Sequence, residues 1–561
     1  MNKAGVFQAG LFLALVILLV RPLGLYLESV FERKPTLLDP VLLPVERLIH
    51  RISRVDLKSE MNWKRYAAAF VLFGIINTFL VYLMLRCQAA LPGFCPHQMT
   101  TPMTADLAAN TAVSFVTTTT WQAYGGETTM SYLSQLLLVG QNFVAGAAGL
   151  SLGIAFIRGY ARQNATTLGN FWVDLTRGTL WILLPASIVG GMLLVALGVP
   201  MNFLPYTQAH TIQGAIQTIA QGPVAAMELI KNLGTNGGGF FNANAAHPFE
   251  NPNGLTNFLE LFGIVLIPAA LTHTFGRMVG HPRDGWLLFW TMVTLFVAGL
   301  LVCNFAESTI VNHGLIGGNM EGKEVRFGVN GSALAAVVTS NGATGSYNSM
   351  HDSLQPLGVL VALVNMLLGE IVFGGLGTGL ISMIFVALIA LFIGGLMIGR
   401  TPEHLGKRIG VGEMKIIALY TLVGPAVILL LTAVAVVTRP GLAGLTTNAG
   451  AHGFTEILFG YASSFANNGQ TMAGLSANTL FYNMTTIVAM LAGRYAPAFL
   501  ALSLAGRFAA MSRRPSSAGT MPSDGIPFGV LLAATAVLLG ALSFLPALAL
   551  GPLVEHFSIH T

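Results

Sequence analysis

Four polar segments stand at the ends of short apolar stretches: Thr117-Thr118-Thr119-Thr120-Trp121, Gly234-Thr235-Asn236-Gly237-Gly238-Gly239, Thr339-Ser340-Asn341-Gly342 and Ala466-Asn467-Asn468-Gly469. Taking Thr120, Gly237, Gly342 and Gly469 as equivalent, they recur at intervals of 117, 105 and 127 residues. Main-chain carbonyls in such segments, helped by Thr, Ser and Asn oxygens, can replace the hydration shell of a monovalent cation. Glycine permits the backbone angles this requires. The candidate ion-binding set is Thr118, Thr119 and Thr120, then Thr235, Asn236 and Gly237, then Ser340, Asn341 and Gly342, and finally Asn467, Asn468 and Gly469. No metal beyond this cation is expected. A surface turn competes for any single segment, since Asn-Gly and Gly-Gly form turns. Four copies in corresponding places favour a pore lining.

The elements that must position these segments are short. Thr104 can cap ADLAANTAVSFV, and Pro223 suits the first position of VAAMELIKNL. Gly331 to Val338, and Phe454 to Phe465 with Glu456 in its first turn, complete the set. Stretches of this length cannot span a bilayer, so they read as re-entrant helices with their negative C-terminal ends toward the ion. Non-helical backbone at membrane depth is tolerated where it lines an aqueous path. Around them lie ten runs of spanning length, near 5–30, 62–86, 130–157, 178–200, 255–276, 285–306, 357–399, 412–437, 479–511 and 526–550. The expected fold is an all-α polytopic membrane protein: ten transmembrane helices, four helix/re-entrant-loop/helix repeats around a pseudo-fourfold pore, and one extra helix at each end. The divisions are 1–60 (first helix and basic loop), 61–160, 161–282, 283–410 and 411–514 (the four pore repeats), and 515–561 (last helix).

Of 561 residues 54% are hydrophobic and 9% charged, against about 25% charged in soluble domains, which excludes a soluble enzyme. The net charge of +5 is spread over loops, which argues against nucleic-acid binding. Three cysteines make neither a disulfide framework nor a zinc cage; Cys87 and Cys95 either pair or, as expected, pack as ordinary helix residues. Lys3 precedes an apolar stretch, but Arg21-Pro22 follows without a cleavage site, so the first helix is retained. Placing both termini outside puts 20 of the 28 Lys and Arg on cytoplasmic connections, as orientation by basic loops requires.

The 357–399 run is nearly twice a bilayer crossing and carries Gly369-Glu370, Gly374, Gly375, Gly377 and Gly379. A helix broken there would set a gate or exit beneath the third segment; a single tilted helix is the alternative. Arg400 either snorkels to the surface or contacts Glu370 as part of a gate. Arg494 lies deep in its run, where it either snorkels or places a positive charge below the pore. Gly317 to Lys323 fits G-x-x-x-x-G-K, but Glu324 replaces the Ser/Thr that would hold magnesium, and a nucleotide site is rejected. Neither a phosphorylation motif (Asp-Lys-Thr-Gly) nor H-E-x-x-H occurs. His247 and His351 are expected to hydrogen-bond at loop edges.

In SFVTTTTWQ (114–122), KNLGTNGGGFFNANAAHPFENP (231–252), SMHDS (349–353), GEIVFGG (369–375), MIGRTPEHLGK (397–407) and AGLSAN (473–478), the sequence resembles the potassium-binding A subunits of Kdp potassium-transporting ATPases. These belong to a superfamily of potassium transporters with four channel-like repeats. The likeness runs through all four repeats, and the second string is the most specific. It implies that potassium enters from the periplasm through the filter and moves sideways, through an intramembrane tunnel, to a P-type ATPase catalytic subunit (KdpB) that hydrolyses ATP. The KdpC protein and a small subunit (KdpF) would complete the complex in the lipids of the bacterial inner membrane. The chain itself would be no enzyme and would need no organic cofactor. Glu370, Gly374, Gly375, Arg400 and Arg494 are the gating and coupling candidates, an arginine like Arg494 discouraging straight passage into the cytoplasm. One departure stands out: the family pattern Thr-Asn-Thr-Asn-Trp-Gln reads Thr-Thr-Thr-Thr-Trp-Gln at 117–122. The alternatives are a stand-alone potassium channel or symporter-type transporter of the same superfamily, and a membrane scaffold without transport.

Overall fold

A computed structural model describes residues 3–90, 100–308, 319–400, 402–515 and 520–560. In chain order its helices are α1 (Lys3–Phe31), α2 (Asp39–Ser53), α3 (Trp63–Cys87), α4 (Ala105–Val116), α5 (Tyr132–Ala161), α6 (Phe171–Ala196), α7 (Val224–Leu233), α8 (Gly254–Met278), α9 (Pro282–Ser308), α10 (Gly328–Asn341), α11 (Pro356–Leu367), α12 (Thr378–Met397), α13 (Val411–Val437), α14 (Gly450–Ala466), α15 (Leu480–Ala510), α16 (Ile526–Leu548) and α17 (Val554–His560), with single turns between some of them. Among the described residues, strands are limited to two short hairpins, Thr207–His210 with Ile216–Ile219 and Glu403–His404 with Lys407–Arg408. Among the described residues, ten helices are long and apolar enough to cross a membrane: α1, α3, α5, α6, α8, α9, α12, α13, α15 and α16 with its continuation α17.

Side-chain caps fix where several of these helices begin. The Asn62 side chain accepts the N–H of Arg65 at 3.0 Å, Ser131 that of Ser134, and Asn253 and Thr256 form a reciprocal capping box. Each cap is worth about 1 kcal/mol. α6 starts at Phe171, well before the expected 178. Its first turns carry Asp174 and Arg177, which an apolar window rejects. Both are paired inside the protein, Asp174 with Arg158 at 2.7 Å and Arg177 with Glu46 at 2.7 Å. The latter bond also docks α2, whose opposite face leaves Val41, Leu48 and Ile52 exposed.

The four short helices α4, α7, α10 and α14 each pack against the helices before and after them, giving α3–α4–α5, α6–α7–α8, α9–α10–α11 and α13–α14–α15. α1 and α16 flank this array. The 357–399 run is broken, with residues 368–377 between α11 and α12. That irregular stretch reaches α5, where Gly153 lies against Gly377. Small residues let backbones approach this closely in a membrane bundle.

Candidate functional site

Each short helix ends in the same local structure. The N–H of Thr119 bonds the carbonyl of Ser114 at 3.0 Å, Asn236 that of Lys231 at 2.9 Å, Thr344 that of Thr339 at 3.5 Å and Asn468 that of Ser463 at 3.0 Å. In every case donor and acceptor are five residues apart. The residues on either side of each donor have positive φ: Thr118 (64°) and Thr120 (44°), Thr235 (49°) and Gly237 (83°), Ala343 (51°) and Gly345 (64°), Asn467 (59°) and Gly469 (92°). The four segments are therefore Thr118–Thr120, Thr235–Gly237, Ala343–Gly345 and Asn467–Gly469.

The third lies three residues beyond the one expected. Ser340 and Asn341 belong to the last turn of α10, and Gly342 is its C-cap at φ −80°. Their side chains bond back along the helix, Ser340 Oγ to the carbonyl of Ala336 at 2.6 Å and Asn341 Nδ2 to that of Val337 at 2.9 Å. Back-bonds of this kind let polar side chains be satisfied within a helix rather than beyond its end. Ala343, Thr344 and Gly345 were missed; the Gly-Ala-Thr-Gly run was the available signal.

The segments close on one another in a ring. Thr120 Oγ1 donates to the carbonyl of Asn236. A Cβ on Gly237 would strike the carbonyl oxygen of Thr344, one on Gly345 that of Asn468, and one on Gly469 that of Thr119. The carbonyls of Thr119, Asn236, Thr344 and Asn468 thus occupy equivalent places around the ring, each against the next segment. Side chains lock it. The Gln122 amide both gives a hydrogen bond to the carbonyl of Gly239 and takes one from its N–H, each at 3.0 Å, and Asn467 Nδ2 donates to Thr119 Oγ1 at 2.9 Å.

Beneath the ring is a cavity of about 170 Å³, lined by Thr118, Thr235, Ala343 and Asn467, one residue from each segment. It also touches Glu370, Gly375 and Arg494 and continues past Ser382 and Tyr420 to Gly540 and Ser543 of α16. The break between α11 and α12 forms part of its wall. There the N–H of Leu376 bonds Thr235 Oγ1 at 2.9 Å, Gly374 folds back over the Glu370 carbonyl, and Glu370 Oε1 accepts from Asn468 Nδ2 at 2.7 Å. Arg494 does not snorkel. It is buried, donates to the carbonyl of Ala145 at 3.2 Å and lies 5.4 Å from the centre of the Phe70 ring. No carboxylate pairs with it among the described residues. Arg400 has to be removed from the gate: its guanidinium bonds the carbonyl of Thr520 at 3.0 Å, and Glu370 is engaged with Asn468 instead.

Behind the second segment lie charges that the sequence reading passed over. Lys231 is fully buried, 2.6 Å from Glu228 and 2.7 Å from Asn244 Oδ1. Glu250 accepts the N–H groups of Phe240 and Phe241 at 2.7 and 3.2 Å, pinning the chain just after Gly239. Lysine and glutamate three residues apart in a ten-residue apolar helix were the signal. His247 accepts the N–H of Phe249 at 3.1 Å, and burial pushes its pKa down to about 4. The His351 imidazole makes no hydrogen bond among the described residues; it packs between Tyr347 and Phe459. Cys95 and Gly317 lie outside the described residues, and with them the Cys87–Cys95 pairing and the G-x-x-x-x-G-K string.

A ten-helix bundle with four re-entrant segments defines a class, the channel-like polytopic membrane proteins built from four repeats. The family described as potassium-transporting ATPase A subunit (KdpA) matches residues 10–557. The chain belongs to this family. A potassium-transporting ATPase potassium-binding subunit of Methylorubrum extorquens is 52% identical over all of this chain and 98% of its own length. Proteins of the same description from Granulibacter bethesdensis and Bradyrhizobium diazoefficiens are 50% and 48% identical, again over this whole chain and 99% of theirs. Among solved structures, the potassium transporter TrkH from Vibrio parahaemolyticus superposes with a TM-score of 0.53 at 14% identity, covering 86% of this chain and 97% of that one. This is a likeness of fold.

Proposed function

We propose that this chain is the potassium-binding subunit of an ATP-driven uptake complex, and that it holds potassium in the ring of Thr118–Thr120, Thr235–Gly237, Ala343–Gly345 and Asn467–Gly469. The observation that carries this reading is the fourfold recurrence of one hydrogen bond flanked by two positive-φ residues. That alternation turns successive carbonyls toward a common axis, where they can take the place of water around a dehydrated monovalent cation. The short helices add their negative ends. Ring closure by side chains keeps the opening from shrinking around a smaller ion.

Potassium enters from outside, with both chain termini on that side of the inner membrane, and reaches the cavity below the ring. Arg494 repels it from the straight path into the cytoplasm, because a buried, unpaired cation raises the energy of a second one nearby. Glu370 favours it at the start of the lateral path. The course of the cavity toward α16 supports delivery through a tunnel to the P-type catalytic subunit (KdpB), which hydrolyses ATP, with KdpC and KdpF as the remaining subunits. Uptake by the whole complex in the presence of competing sodium tests the filter: Gly237→Ala and Gly469→Ala should each weaken potassium affinity or discrimination. Unchanged affinity and preference in both would remove its support.

A further inference from the structure

Away from the ion path, at the end of the bundle where α14 begins, the turn before α11, the start of α14 and α17 bring four ionisable side chains together. His452 Nδ1 lies 2.7 Å from Glu555 Oε1, while Nε2 lies 3.0 Å from Asp352 Oδ1 and 3.8 Å from Glu456 Oε1. One donor atom each from Asp352, His452 and Glu456 falls within 4.8 Å of the other two. Glu456 is fully buried. Its Oε1 accepts from Asn448 Nδ2 at 2.8 Å, whereas Oε2 has no hydrogen-bond partner among the described residues. Leaving a buried carboxylate oxygen without a donor is costly, and nothing in the filter or the cavity uses it. Three carboxylates also surround a single imidazole, an excess of negative charge that one protonated histidine does not offset.

We propose that Asp352, His452 and Glu456 form a binding site for a divalent transition-metal cation of the zinc or manganese type, with Glu555 as the positioning residue for the imidazole. Metal-binding histidines hand their second N–H to a carboxylate, which sets the tautomer and turns the other nitrogen to the metal. Glu555 does this at Nδ1 and leaves Nε2 facing the two carboxylates. One imidazole with two carboxylates suits zinc or manganese, whereas calcium and magnesium prefer all-oxygen sites. Binding releases to solvent the proton carried at Nε2 and gives the buried Glu456 oxygen its partner. It also ties three separate stretches of chain at the N-terminal end of α14, where Glu456 stands about 16 Å of helix from Asn467 at 1.5 Å per residue.

The test uses the complete complex, untagged, stripped with chelator and given Zn²⁺ or Mn²⁺ alone. The wild-type complex should retain one metal per chain after gel filtration, and bound Mn²⁺ should show ¹⁴N coupling from an imidazole in pulsed electron paramagnetic resonance. His452→Gln should lose at least tenfold in affinity and Glu555→Gln about 10–100-fold. Failure of the wild type to retain either metal at millimolar concentration overturns the site, as does bound Mn²⁺ without nitrogen coupling or equal retention by His452→Gln. The wild-type readings decide the matter even if a variant does not fold.

Discussion

Thr118 and Thr120 sit at φ 64° and 44°, a region where β-branched residues are strained and asparagine is tolerated. They are the two positions at which this sequence departs from the asparagines of the Kdp pattern. Thr118→Asn and Thr120→Asn should therefore each stabilise the protein, by about 1 kcal/mol or more, read as a raised thermal midpoint; lowered midpoints in both would contradict the strain argument. Gly345 and Gly342 separate the register found in the structure from the one expected. A methyl at Gly345 meets the main-chain carbonyl of the neighbouring segment, while Gly342 has an ordinary φ and a methyl there meets first the side chain of Ile264, then the Val338 carbonyl of its own helix at 3.0 Å and Thr344 Oγ1 at 3.3 Å. Gly345→Ala should loosen potassium-over-sodium preference at least tenfold, and Gly342→Ala should leave it close to wild type while costing stability. The reverse order would restore the register that ends at Gly342. Three of the four segments were legible in sequence because their helices end where the polar residues begin. The third was not, because Ser340 and Asn341 are still helical, with their side chains satisfied on the preceding turn of α10.

At the scale of elements, the break between α11 and α12 was readable because glycine at positive φ, as at Gly369 and Gly377, marks a backbone that cannot continue as a helix. The early start of α6 was hidden, since its charged residues are neutralised by Arg158 and Glu46, distant in sequence. α15 carries Arg494 inward at the level of the cavity, and its role depends on charge and reach together. Arg494→Gln should raise passive potassium leak, or lower ions moved per ATP, in proteoliposomes holding the whole complex, and Arg494→Lys should keep part of the barrier. Wild-type leak and coupling in the glutamine variant would reduce Arg494 to a packing residue beside Phe70.

For the whole molecule, four repeats give a symmetric ring, while the cavity below departs from that symmetry by running toward α16. A pore that led straight through would suit a channel; one that turns aside suits the proposed delivery to a partner subunit. The purified chain alone should accordingly show no potassium-stimulated ATP hydrolysis, and hydrolysis free of any partner would refute the division of labour. In the proposed filter the carbonyls of Thr119, Asn236, Thr344 and Asn468 coordinate the ion. Anomalous diffraction from crystals of the complex soaked in thallium(I), a potassium mimic, tests it most directly. An anomalous peak is expected on the axis enclosed by those four carbonyls; thallium bound elsewhere in the chain with no peak at the ring would exclude coordination there.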